Sequence, residues 1–249
     1  MSRNFELLQK LGKEQEMLGT TAEAGSNPEA GPAAMAAAPV PKPGLEEISG
    51  LVQQVFLMPG AEAPRTVVFA GTESGTGVTW VTARVAEALA GRVAASVCVV
   101  DANLRAPGLH HQLGVENQVG LADALLQPDP IRNFARQLSP SNLWLITAGS
   151  SVENQQGLLA SDRMRLRITE LRSEFDFVLI DTPALGASNA AIGLGSISDG
   201  VVLVLKANAS RRESATQAVE DFQSGKAKVL GAVLNQRTFP IPNKIYKKL

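Results

Sequence analysis

The 249-residue chain has one cysteine, one tyrosine and two histidines. The lone thiol, Cys98, excludes an internal disulfide, and its neighbours Val97, Val99 and Val100 predict a small core residue. His110 and His111 are adjacent. Consecutive side chains of a helix point in different directions, and no second cysteine or third histidine is present to complete a metal site, so both are read as ordinary polar residues. Neither sign of charge dominates. The 23 Lys and Arg against 24 Asp and Glu give a net charge of −1, which argues against a nucleic-acid-binding surface. No apolar run approaches the ~20 residues of a membrane-spanning helix. Arg3, Glu6, Lys10, Lys13, Glu14 and Glu16 leave no apolar block for a secretory leader. A cytoplasmic protein is expected.

What is present changes character along the chain. In residues 1–18, Phe5, Leu8 and Leu11 recur every three residues, which predicts a short amphipathic helix weakened by Gly12. Residues 19–44 are rich in Ala, Gly and Pro. Their prolines at 28, 32, 39, 41 and 43 interrupt any helix and predict a disordered linker. From residue 45 onward a folded domain, 45–249, is expected. Leu45, Ile48, Leu51, Val52, Val55 and Phe56 carry helical spacing up to Pro59.

Thereafter strands and helices alternate. Strands are predicted over 65–70, 96–100, 143–147, 177–180, 201–206 and 228–234, and helices over 79–90, 161–175, 187–197 and 211–224. Short helical pieces broken by Pro128 and Pro130 are expected in 121–137. Near-continuous apolar strands between helices predict an α/β fold, a parallel sheet covered on both faces. Ligands in such sheets sit at the carboxyl ends of the strands.

Three strand ends carry chemistry. The first strand runs into Gly71-Thr72-Glu73-Ser74-Gly75-Thr76-Gly77-Val78-Thr79. Glycines let backbone N–H groups curl around an anion, and the helix that follows adds its positive end. The layout is that of a P-loop, with Thr79 placed to offer its hydroxyl to Mg²⁺. The strict pattern fails twice, with Thr72 at the first glycine and Val78 at the lysine. The second predicted strand ends at Asp101 and the fourth at Asp181, carboxylates that read either as turn caps or as groups facing a hydrated cation. Asn235 ends the last strand, suited to an adenine edge or to a turn.

Together these motifs resemble the kinase domain of the bacterial tyrosine autokinases (BY-kinases) of capsule and exopolysaccharide synthesis, deviant-Walker P-loop ATPases. The resemblance covers residues 45–249. It rests on Ser74–Thr79 against P-G-E-G-K-S, on Asp101-Ala-Asn103-Leu-Arg105-Ala-Pro107 against D-x-D-x-R-x-P, on Gly120-Leu-Ala-Asp123 against G-L-S-D, and on Phe175–Pro183 against Y-D-Y-V-I-I-D-T-P. The last two strands, opening at Asp199 and Val229, match as well. It implies ATP or ADP with Mg²⁺ as cofactors. Gly75, Thr76, Gly77, Val78 and Thr79 would hold phosphates, Thr79, Asp101 and Asp181 the metal, and Asp101 and Asp181 would support catalysis. It implies a membrane-embedded polysaccharide chain-length or export protein as partner, a cytoplasmic chain peripheral at the inner membrane through that partner, and leaves a homo-oligomer open.

Four departures point away from kinase activity. Val78 brings no ammonium to the phosphates. Losing a hydrogen bond to a charged group weakens binding by roughly one to two decades, and losing preorganised charge costs ~10²–10³ in rate. Asn103 replaces a second aspartate. The only tyrosine, Tyr246, stands where a phosphorylated tyrosine cluster is expected. Glu46–Gln53 lacks the arginines of the ring-forming E-x-x-R-x-x-R helix. A regulatory protein with weakened Mg-nucleotide binding is the first expectation. An active autokinase phosphorylating Tyr246 and a nucleotide-free scaffold are the alternatives. Arg105 is the expected substitute cation, and Arg84 is expected to face away.

Overall fold

The computed structural model describes residues 45–58 and 63–237. The predicted N-terminal helix, the linker and Tyr246 lie outside the described residues.

One seven-stranded sheet organises the rest, in the order β3-β4-β2-β5-β1-β6-β7. Strands β1 (Thr66–Gly71), β2 (Val97–Asp101), β4 (Leu143–Ile146), β5 (Phe177–Asp181), β6 (Gly200–Lys206) and β7 (Val229–Asn235) pair in parallel. Only β3 (Arg136–Gln137) is antiparallel, against β4. The helices are α1 (Leu45–Phe56), α2 (Val78–Ala90), α3 (Leu109–Gln112), α4 (Leu121–Leu126), α5 (Gln155–Leu159), α6 (Asp162–Glu174), α7 (Ala190–Ser196) and α8 (Arg212–Ser224).

Because strand side chains alternate, one strand feeds two cores. Val67 and Phe69 of β1 pack with Ile48, Val52 and Phe56 of α1 and with Val81, Val85 and Leu89 of α2. Val68 and Ala70 pack on the other face with Leu121, Ile168, Leu194 and Phe222 from α4, α6, α7 and α8. Each large side chain sealed this way contributes roughly 1.5–3 kcal/mol. Cys98 is fully buried, as expected, and burial pushes its thiol pKa far up. β1 lies inside the sheet, next to its middle strand β5, so the glycine-rich turn opens on the carboxyl edge away from either end of the sheet.

Several local expectations are corrected. α7 starts at Ala190 rather than 187, because the N–H groups of Ala187 and Ser188 both donate to the Ala184 carbonyl in a turn. Residues 136–137 form β3 rather than helix, and α3 and α5 have too few residues for a visible period. The histidines do not diverge: their ring centroids lie 3.9 Å apart. The phase argument assumes a continuing helix, whereas α3 lasts four residues. Among the described residues no helix is long and apolar enough to cross a membrane.

Candidate functional site

The turn between β1 and α2 needs two left-handed residues, and Gly75 (φ 82°) and Gly77 (φ 85°) supply them. Such dihedrals cost other residues about 1–2 kcal/mol. Gly77 is the N-cap of α2, and no side chain caps the first N–H groups of that helix. The start of the loop is fixed from the β5 side, where the Leu185 N–H donates to the Gly71 carbonyl at 2.9 Å and the Thr182 hydroxyl to the Phe69 carbonyl at 2.8 Å. Its far half is fixed from β7. The Asn235 side-chain amide donates to the Thr76 carbonyl at 2.8 Å, and that of Gln236 to the Gly75 carbonyl at 3.0 Å.

Val78 does not reach into the loop. It is buried in the core shared by β1, α1 and α2. A Cβ placed on Gly71 would meet the Val78 Cγ2 at 2.9 Å and the Thr76 Oγ1 at 2.4 Å, so both side chains fold beneath the loop against the end of β1. The position at which a P-loop carries its ammonium is here apolar packing.

Asp101 and Asp181 are register partners on neighbouring strands, and the Ala102 N–H donates to the Asp181 carbonyl at 2.9 Å. Both carboxylates are fully buried. Their surroundings differ. Asp101 accepts three backbone N–H groups, from Asn103 at 3.1 Å and from Gly108 and Leu109 at 3.0 Å each. Burial nevertheless pushes its pKa up to about 6, the three N–H groups opposing the shift. Neither oxygen of Asp181 completes a hydrogen bond of normal geometry. Burial first, and then the Asp101 charge, raise its pKa well above the usual carboxylate range. The Thr79 hydroxyl and the Thr182 N–H facing it counter this only in part. A Cβ on Gly108 would lie 3.0 Å from the Thr79 Cγ2, so the turn after β2 closes on Thr79.

The residues singled out in the sequence thus divide into two groups. Thr79, Asp101 and Asp181 converge at the ends of β1, β2 and β5. Gly75, Thr76 and Gly77 meet Asn235 across β6. Among the described residues no cluster of three or more His, Cys, Asp or Glu is placed to hold a metal by itself. A hydroxyl and an orphaned carboxylate beside a glycine cradle suit a cation that arrives with a phosphate ligand. Arg84 faces away as expected, pairing with Glu87 at 2.6 Å and donating to the Gln112 carbonyl at 2.8 Å. Arg105 is exposed, and no hydrogen bond or ion pair holds it among the described residues. It lines a cleft of about 280 Å³ with Ala102, Asn154, Pro183 and Ser188. Gln236 and Thr182 were not singled out. Only Thr182, following Asp181 in the D-T-P motif, had a signal that marks it.

The model of the cellulose biosynthesis protein BcsQ family matches residues 65–223, more than half of the chain. The chain belongs to the BcsQ family. Its relatives include bacterial tyrosine-protein kinases. YwqD of Bacillus subtilis is 34% identical over 139 residues, 56% of this chain and 59% of YwqD. Wzc of Salmonella typhi is 28% identical over 169 residues, 68% of this chain and 23% of Wzc. The chain therefore spans under two thirds of these relatives' lengths. Among solved structures, the kinase domain of the Escherichia coli tyrosine kinase ETK superposes with a TM-score of 0.71 at 21% identity, covering 79% of this chain and 78% of that one. This BcsQ-family domain has the P-loop NTPase fold and is related to the polysaccharide-biosynthesis kinases.

Proposed function

We propose that this BcsQ-family domain is a regulatory protein of bacterial polysaccharide biosynthesis that binds Mg-nucleotide weakly and transfers phosphate poorly or not at all. One observation carries the reading. Two buried carboxylates and a glycine-rich turn stand at the carboxyl ends of the neighbouring strands β2, β5 and β1, while Val78, at the lysine position, is packed in the core.

At this strand edge the N–H groups of Gly75–Thr79 would face the phosphates. Thr79 and Asp181 would hold Mg²⁺, with Asp101 beside them, and the unpaired oxygens of Asp181 fit that role. When bound, Mg²⁺ would supply Lewis-acid neutralisation of phosphate oxygens. Asn235 keeps the loop closed through Thr76, which commits its amide N–H away from an adenine edge. What is missing is charge that strengthens as the phosphoryl group leaves. Binding then outlasts transfer. The partner in this reading is a membrane-embedded chain-length or export protein, with this domain peripheral at the cytoplasmic face of the inner membrane.

An active autokinase is the second reading, favoured by Arg105, an exposed cation four residues after Asp101 that nothing pairs among the described residues. Incubation with Mg-ATP followed by mass spectrometry separates the two, with Tyr246→Phe as control. The regulatory reading expects no phosphate on Tyr246 beyond that of an Asp181→Asn variant. Stoichiometric phosphotyrosine would replace it with the autokinase.

A further inference from the structure

β6 lies between β1, which feeds the glycine loop, and β7, which ends at Asn235. Lys206 is the last residue of β6 and the register partner of Asn235. Register partners on parallel strands point to the same face. The Asn235 amide reaches the Thr76 carbonyl at 2.8 Å, and its nitrogen lies 2.3 Å from where a Gly77 Cβ would be. That contact spans β6 on the face to which Lys206 points. A second contact holds Lys206 to the other half of the loop. Its N–H donates to the Ser210 hydroxyl at 2.9 Å, and that hydroxyl donates to Glu73 at 3.0 Å. The backbone of Lys206 is therefore linked through Ser210 to Glu73, while its strand neighbour Asn235 holds Thr76. Lys206 is half-buried, and no hydrogen bond or ion pair holds its ammonium among the described residues.

An ammonium that no carboxylate pairs is available to a phosphate. We infer that Lys206 supplies, from β6, the ammonium that Val78 no longer brings, and that it meets the phosphates of a nucleoside di- or triphosphate at the Gly75–Gly77 half of the loop. This rests on the nucleotide-pocket reading above and adds a binding residue to it. Arg105, the substitute expected from sequence, follows β2, with β5 and β1 between that strand and β6. An ammonium on the β6 side anchors a bound phosphate chain without standing where the lysine of a P-loop helix stands, which fits retained binding with poor transfer.

The test is calorimetric titration of the full chain with Mg-ADP and, separately, with adenosine. Lys206→Gln is expected to weaken Mg-ADP roughly tenfold to a hundredfold and to leave adenosine unchanged. Lys206→Arg is expected to keep most of the ADP affinity, and Arg105→Gln to change it less than Lys206→Gln does. The melting temperature of ligand-free Lys206→Gln is expected to match the parent. Unchanged ADP affinity in Lys206→Gln overturns the inference, and a drop in its ligand-free melting temperature then makes Lys206 a structural partner of Glu73. Equal losses for ADP and adenosine overturn it in favour of a base contact. A larger loss in Arg105→Gln moves the role to Arg105. If neither the parent nor Val78→Lys takes up Mg-ADP, the pocket reading itself fails and this inference falls with it; if the parent binds, only the inference is at stake.

Discussion

Asp101 and Asp181 end adjacent parallel strands in register, both fully buried, yet only Asp101 is satisfied by the backbone. The same residue type at equivalent strand ends therefore performs two jobs. Asp101 builds the turn that closes on Thr79, and Asp181 keeps two unpaired oxygens, which in the proposed reading meet a cation.

Substitutions separate the two. Asp101→Ala leaves the N–H groups of Asn103, Gly108 and Leu109 without their acceptor and is expected to cost about 1–3 kcal/mol of stability. Asp181→Asn removes a buried charge with a like neighbour and is expected to be neutral or to stabilise the ligand-free chain by about 1 kcal/mol, while abolishing any Mg²⁺ dependence of nucleotide binding. Denaturant unfolding of both variants, with and without Mg-ADP, reads both effects.

Stability should depend on pH in an unusual direction. Burial raises the folded-state pKa of Asp101 to about 6, above the ordinary 3.8, and raises that of Asp181 as well. The folded chain then holds more protons than the unfolded chain between those values, so this pair makes stability fall as pH rises through that window. Mg-nucleotide favours the charged forms and opposes the trend. Melting curves from pH 4.5 to 8, with Mg-ADP and with EDTA, should diverge progressively above pH 6. Parallel curves would show that the carboxylates do not face the ligand.

The loop clamp is testable by itself. Asn235→Ala deletes the bond to the Thr76 carbonyl, with an expected loss of about 1 kcal/mol and faster amide exchange across Gly75–Gly77. Exchange at the parent's rate would mean that β7 does not restrain the loop.

Gly71→Ala probes the packing beneath the loop. The new methyl meets Thr76 Oγ1 at 2.4 Å and Val78 Cγ2 at 2.9 Å, so the loop must shift. Overpacking of this kind costs roughly 1–3 kcal/mol, visible as a lowered unfolding midpoint.

Much of this architecture was legible in the sequence because long apolar strands announce themselves. Val97–Val100 before Asp101 and Phe177–Ile180 before Asp181 placed both carboxylates at strand ends, and the observed strands agree to within a residue or two. Where periodicity had too few residues, reading failed. β3 has two residues and α3 four, and nothing local marks either. The departure at Val78 was visible as a missing ammonium, but not the inward packing that replaces it, which depends on Gly71 and Thr76 beneath the loop. Lys206 is likewise invisible in a linear reading. Its nearness to the loop follows from strand order, which brings β6 between β1 and β7 although about 130 residues separate Gly75 from Lys206 in the chain.

The central claim is that a phosphate cradle has lost its ammonium at position 78. The most direct measurement is the affinity of Val78→Lys for Mg-ATP by titration calorimetry, beside the parent, in samples whose ligand-free melting temperatures establish that both are folded. The account predicts binding at least about tenfold tighter for the lysine variant. A folded Val78→Lys chain that binds Mg-ATP no better than the parent would contradict it.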